Sequence, residues 1–213
     1  MATTTTRTKA STKRASATKA PARKSSTRRK DALTLLKTDH QAVEKLFSEF
    51  EQAGTRAYKT KRRLVDQMIE ALSIHAFIEE QVLYPAARSE VASADEDVLE
   101  AIEEHHIVKW ELQELLDLDP EDERFTSKVT VLTENVRHHV KEEESELFPL
   151  LRSHLSKARL EELAAELDQA RAVAPTHPHP RLTQSPPEHV VADAVGSVID
   201  RAKEAVKSVR SAS

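Results

Sequence analysis

Two stretches of the chain carry donor atoms at a telling spacing. HAFIEEQVLYP (75–85) and HVKEEESELFP (139–149) share one skeleton: His, three residues, Glu, three residues, Leu, an aromatic, Pro. A His and a Glu four places apart lie on one face of a helix. A second pair, TDHQAVEKLFSEF (38–50) and EEHHIVKWELQEL (103–115), aligns His40 with His105, Val43 with Val108, Phe47 with Leu112 and Phe50 with Leu115. The offset is 65 residues for this pair and 64 for the first, so a helical hairpin occurs twice.

Hairpin geometry places these residues in space. The midpoint of His40 and His75 falls in the Gly54–Lys59 connection, and that of His105 and His139 in the Pro120–Glu123 connection. Each His therefore lies about 17 residues, or ~26 Å, from its turn. Four imidazoles, with Glu79 and Glu143, come to one level of one bundle. Six such groups are costly to bury unpaired, and a bound metal pair offsets that cost. Mixed nitrogen and oxygen donors suit iron, manganese or zinc. Two carboxylates between two metals is the arrangement of di-metal carboxylate bundles. His106 and His138, one step off the repeat, are alternative ligands and read as flanking groups. His138 with Glu142 repeats the HxxxE spacing but breaks the match to Leu147 and Pro149. Glu103 with His106 gives an ExxH that occurs once, so it is set aside. His154, His177, His179 and His189 have no assigned role.

The elements that must hold these groups are helices. Leu33, Leu36, His40, Val43, Phe47 and Phe50 recur at steps of three or four, with Asp31 as N-cap and Gly54 as stop. A second helix is expected over 60–84, with Leu64, Met68, Leu72, Phe77 and Ile78 as its stripe, interrupted by Pro85. Ser93 or Asp95 caps a third helix, whose apolar side is Val98, Leu99, Ile102, Val108, Leu112 and Leu115. Asp119-Pro120 breaks it. A fourth is expected over 123–147, and 150–174 is its continuation or a fifth helix.

Composition agrees. Two Gly in 213 residues argue against phosphate loops and many-stranded folds, and the absence of Cys excludes disulfides, thiolate metal sites and Cys nucleophiles. No apolar run reaches the ~20 residues of a membrane span, and the polar N-terminus lacks the apolar core of a secretory signal. A cytoplasmic, mostly helical protein is expected. The net charge of −4 hides an asymmetry: residues 1–30 hold ten Lys/Arg and no acid, 175–213 carry +1, and the middle carries −15. Residues 1–30 read as a disordered basic arm, 175–187 as a Pro-rich linker, and 188–213 as an amphipathic helical tail.

Taken together, His40, His75–Glu79, His105 and His139–Glu143 resemble the hemerythrin-like, or HHE cation-binding, family over about residues 31–155. The resemblance implies an all-α, up-down-up-down four-helix bundle, and 156–174 read as a helical extension of it. It implies a centre of two non-haem iron ions, with manganese or zinc as lesser options. The four His would be terminal ligands, and Glu79 and Glu143 would bridge. The match departs from the oxygen carriers: Lys109 stands where they have the second His of HxxxH, and Glu143 follows His139 at spacing four rather than the HxxxxD pattern. Fewer His ligands leave coordination positions open. That points away from reversible O2 carriage and towards sensing, storing or detoxifying O2, peroxide, nitric oxide or iron, as in a stress response. Turnover of peroxide is left open. The rival reading is a helical bundle tethered to nucleic acid through its basic arm, nucleoid-associated, with the metal purely structural. Such an arm would hold phosphates without sequence choice.

Overall fold

The computed structural model describes residues 1–2 and 31–180. The expected arm, most of the linker and the amphipathic tail lie outside the described residues. Those that are described build helices and no strand. Helix α1 (Ala32–Gln52) starts at Asp31, whose carboxylate accepts the Thr34 N–H at 2.9 Å. It ends just before Gly54. Helix α2 (Tyr58–Ile78) runs back beside it, and α4 (Asp95–Leu116) and α5 (Phe125–Glu142) form the second hairpin. The four make the expected up-down-up-down bundle.

Pro85 and Pro149 do not end their helices, contrary to the expectation at Pro85. The rod continues through a wide π-helical turn, Glu79–Leu83, into α3 (Tyr84–Glu90). The same happens at Glu143–Leu147, which leads into α6 (Phe148–His154). Proline has no N–H to give and its ring crowds the carbonyl four residues back. One extra residue in the turn relieves both: the Tyr84 N–H bonds the Glu79 carbonyl, and the Phe148 N–H bonds that of Glu143. In an unbroken α-helix, the fifth residue on lies ~140° round the axis. The wide turn brings the aromatic back towards the face of the glutamate. The recurring skeleton thus has a purpose for each member: His and Glu present donors, Pro opens the turn, and the aromatic closes on the site.

Two other expectations are refined. Helix α4 takes no side-chain cap from Ser93 or Asp95; Asp95, Glu96 and Asp97 instead fill its first turn, where negative charge suits the helix dipole. The stretch after Pro149 is both continuation and new helix. Leu155 breaks the backbone, and Ser156 caps α7 (Lys157–Arg171) by accepting the Arg159 N–H at 3.1 Å. Helix α7 lies across α1 and α2.

Apolar side chains form two clusters along the bundle. One, around Leu33, Leu36, Ile78, Leu83, Tyr84, Phe148 and α7, fills one end. The other, around Phe47, Leu64, Met68, Leu112, Phe125 and Leu132, fills the end nearer the two hairpin turns. Between them lies a polar layer. Leu99, expected in the stripe of α4, is 46% exposed, while Ala101 and His105 face inward. Phe47→Ala, at a residue 1% exposed, is expected to cost about 3–5 kcal/mol. Leu99→Ala should stay within about 0.5 kcal/mol. Urea unfolding of the two variants checks the contrast.

Candidate metal centre

The polar layer consists of the six residues singled out from the sequence. His40, His75, His105, His139, Glu79 and Glu143 are each no more than 5% exposed. One imidazole comes from each of α1, α2, α4 and α5, and each glutamate opens a wide turn. The His pair of each hairpin meets tip to tip. His40 Nε2 and His75 Nε2 are 3.1 Å apart, as are His105 Nε2 and His139 Nε2. The glutamates straddle the hairpins. Glu79 Oε2 lies 3.1 Å from His75 Nε2 and 3.4 Å from His105 Nε2. Glu143 Oε2 lies 3.4 Å from His40 Nε2 and 3.6 Å from His139 Nε2. His106 and His138 stand outside this layer: His106 accepts the Trp110 Nε1–H at 3.1 Å, and the His138 side chain is 60% exposed.

Sequence reasoning missed the carboxylates behind the imidazoles. His40 Nδ1 meets Glu144 at 2.9 Å, His105 Nδ1 meets Glu80 at 3.0 Å, and His139 Nδ1 meets Glu104 at 2.8 Å. Asp39 stands 3.7 Å from His75 Nδ1. Each is adjacent in sequence to a member of the six, and they obey the repeat: Asp39 precedes His40 as Glu104 precedes His105, and Glu80 follows Glu79 as Glu144 follows Glu143. That adjacency was the signal. A carboxylate at Nδ1 takes its proton in hydrogen bonding and leaves Nε2 with a bare lone pair, the tautomer that ligates metals. Lys109 holds Glu80 through both oxygens at 2.7 and 2.6 Å. Lys37 pairs with Glu144 at 3.1 Å.

Tyr84 was also missed. Its hydroxyl, 1% exposed, donates to Glu143 Oε1 at 2.9 Å and lies 3.4 Å from His105 Nε2. Burial, with Glu143 and Glu79 close by, holds the phenol well above its usual pKa, so it stays a donor. Phe148, its counterpart in the repeat, stacks on His40 with ring centres 5.8 Å apart.

The donor set fits cations. Two nitrogens that share one cation at ~2.1 Å stand roughly 3.0–3.4 Å apart, which matches both His pairs. Neither oxygen of Glu79, nor Glu143 Oε2, has a hydrogen-bond donor. Orphaned carboxylate oxygens in an apolar interior are costly, and divalent cations would satisfy them. Two overlapping groups, His40–His75–Glu79–Glu143 and Glu79–His105–His139, bring their donor atoms within 4.8 Å.

Without cations, protons fill the gaps. Burial disfavours a charged His75, but the charge of Glu79 and the Asp39 carboxylate outweigh it and raise its pKa to about 10. Burial likewise opposes a charged His139, and Glu143 wins, so its pKa rises; burial, aided by the charge of His139, lowers that of His105. Glu80 is buried too, yet His105 and Lys109 hold it down to about 2. A raised His75 pKa stabilises the metal-free fold fully below about 6.5, its unfolded value, and that stability is lost as pH rises through about 10. Metal-free protein should therefore unfold at lower urea as pH rises across that window; a midpoint that rises would contradict the assignment. Glu144→Ala is expected to weaken cation binding about 10–100-fold with helix content unchanged, measured by competition with a chelator.

The sequence profile of the hemerythrin HHE cation binding domain matches residues 31–151. The chain belongs to that family. It is similar to the crystal structure of a hemerythrin HHE cation binding domain-containing protein from Mycobacterium kansasii, with 25% identity and a TM-score of 0.57, covering 67% of this chain and 88% of that one. It is also 31% identical over 138 residues to a protein of Nostoc sp. named DNA nickase. That match spans 65% of this chain but 38% of the relative.

Proposed function

We propose that the protein binds two iron ions in the polar layer and uses them to sense or consume a small oxidant: O2, hydrogen peroxide or nitric oxide. The observation that carries this is the straddling geometry, in which Oε2 of each glutamate faces an imidazole of both hairpins. His40 and His75 would hold one ion, His105 and His139 the other, and Glu79 and Glu143 would bridge. Iron is what the resemblance to the hemerythrin-like family implies, and a donor set of imidazole and carboxylate without thiolate accommodates it. Bound iron would supply electron exchange and an open position for the small molecule.

The chain's own residues define what reaches that position. A cavity of about 20 Å³ sits on the hairpin-turn side, lined by the four imidazoles and by Val43, Leu72, Val108, Val136 and Val140. It has room for about one water-sized guest, and its apolar wall excludes charged substrates. Tyr84 holds Glu143 by its hydroxyl and keeps a proton next to the layer. Outer carboxylates hold the rings of His40, His105 and His139 by hydrogen bonds, and Asp39 stands 3.7 Å behind that of His75.

Elemental mass spectrometry of the purified protein tests the reading. About two irons per chain are expected. His75→Ala combined with His139→Ala should lose them while circular dichroism stays helical. Unchanged metal content in that variant would sink the proposal.

A second reading concerns residues 1–30. Their ten cations without an acid, and the likeness to a relative named DNA nickase, support non-specific contact with DNA phosphates. The full chain should retard DNA at low salt and release it between about 50 and 200 mM. Equal retardation after deleting 1–30 would rule the arm out.

A further inference from the structure

The internal repeat makes the two sides of the bundle comparable, and they differ in chemistry. On the first hairpin, Ile74, Ile78, Val82 and Leu35 pack in one cluster with Leu160, Leu163 and Leu167 of α7. Asp39 there is paired with Arg171 of α7 at 2.5 Å. At the same places in the second hairpin, 64 or 65 residues on, stand His138, Glu142, Glu146 and Glu100, and Asp39 becomes Glu104. One side is roofed and its acid neutralised. The other is a groove lined by Asp97, Glu100, Glu104, Glu142 and Glu146, with no Lys or Arg among its lining residues.

Two observations make this more than a solvated acidic face. The groove reaches His139 and Glu143 of the polar layer. Glu143 Oε2, on a residue 2% exposed, has no hydrogen-bond donor. Next to two of the lining residues, and with its own side chain 60% exposed, His138 has Nε2 3.2 Å from Glu142 Oε1 and 3.7 Å from Glu104 Oε1, and the three offer donor atoms within 4.8 Å of one another. Glu104 joins mouth to interior, because its other oxygen meets His139 Nδ1 at 2.8 Å.

We infer that Glu104, His138 and Glu142 form a transit site for a divalent cation, at the mouth of an acidic vestibule through which the polar layer is loaded. The inference rests on the reading of that layer as a two-cation centre. The mixed nitrogen and oxygen donors suit a first-row divalent ion such as Fe(II). Partial exposure lets the ion keep waters and leave again. A cleft lined by one sign of charge raises the local counter-ion concentration and its on-rate. The HxxxE of His138 and Glu142, off the register of the main repeat, thereby finds a use.

The test is stopped-flow loading of the metal-free full-length protein with Co(II), followed optically, alongside an equilibrium Co(II) titration. The variant is His138→Ala with Glu142→Gln, which leaves the six buried residues and Glu104 intact. Glu161→Gln, on the roofed side, is the charge control. Wild type should take two tight equivalents and one weaker third. The double variant should still take the two, lose the third, and load about tenfold more slowly. Equal loading rates, with two equivalents retained, would overturn the transit site and leave the two-cation centre standing. A slowdown as large in Glu161→Gln would reduce the effect to general charge and also overturn it. A wild type whose polar layer takes no cation would overturn both.

Discussion

Four imidazole lone pairs pointing at one another govern this molecule. His40, His105 and His139 each have a carboxylate hydrogen-bonded behind them, so the proton is drawn outward and Nε2 is left bare towards the centre; Asp39 stands 3.7 Å behind His75. Two bare nitrogens 3.1 Å apart repel unless something positive lies between them. Protons can serve, since Glu79 and Asp39 beside His75, and Glu143 beside His139, favour the charged imidazoles against burial. Cations serve better, because they also satisfy the orphaned oxygens of Glu79 and Glu143. The outer shell is what makes this possible. Three of the four carboxylates are within 3.0 Å of their rings, and Lys37 and Lys109 balance two of them. The polar layer is held from outside inward.

Much of this was legible in the chain. The His and Glu positions followed from a repeat whose members had to meet at one depth of a bundle, and the structure brings all six together. The helices followed from apolar spacing, since Leu33, Leu36, Val43, Phe47 and Phe50 are buried as their period required. What escaped was what periodicity cannot carry. A proline reads as a break, yet here a wide turn absorbs it, because the same helix continues to pack below. Leu99 fits the stripe of α4 but loses its place to Ala101 and His105, since the register that buries His105 turns Leu99 outward. Asp39, Glu80, Glu104 and Glu144 looked like ordinary surface acids. Only their adjacency to ligand positions, repeated four times, set them apart.

The duplication is close in its inner layer and loose outside it. His, Glu and supporting carboxylate recur in both halves, because the centre needs both. Away from it the halves diverge: Tyr84 against Phe148, an apolar roof under α7 against an open acidic groove. The two His pairs therefore have unequal surroundings. One faces a stacked phenyl ring, the other a phenol that donates to Glu143. Arg171, reaching from α7 to Asp39, pairs the acid on the first side with a cation, whereas its counterpart Glu104 meets His138 and His139.

The straddling glutamates also fix where one hairpin sits along the other. Apolar cores tolerate sliding, because Leu against Val differs little from Leu against Leu. A polar layer does not. A slip of one helical turn, ~5.4 Å, would carry Glu79 away from His105 and set it among the valines of α4 and α5. The same shift would strand His139 opposite aliphatic side chains. The centre is thus an axial ruler, which selects one docking of the two halves from the many that their leucines alone would permit.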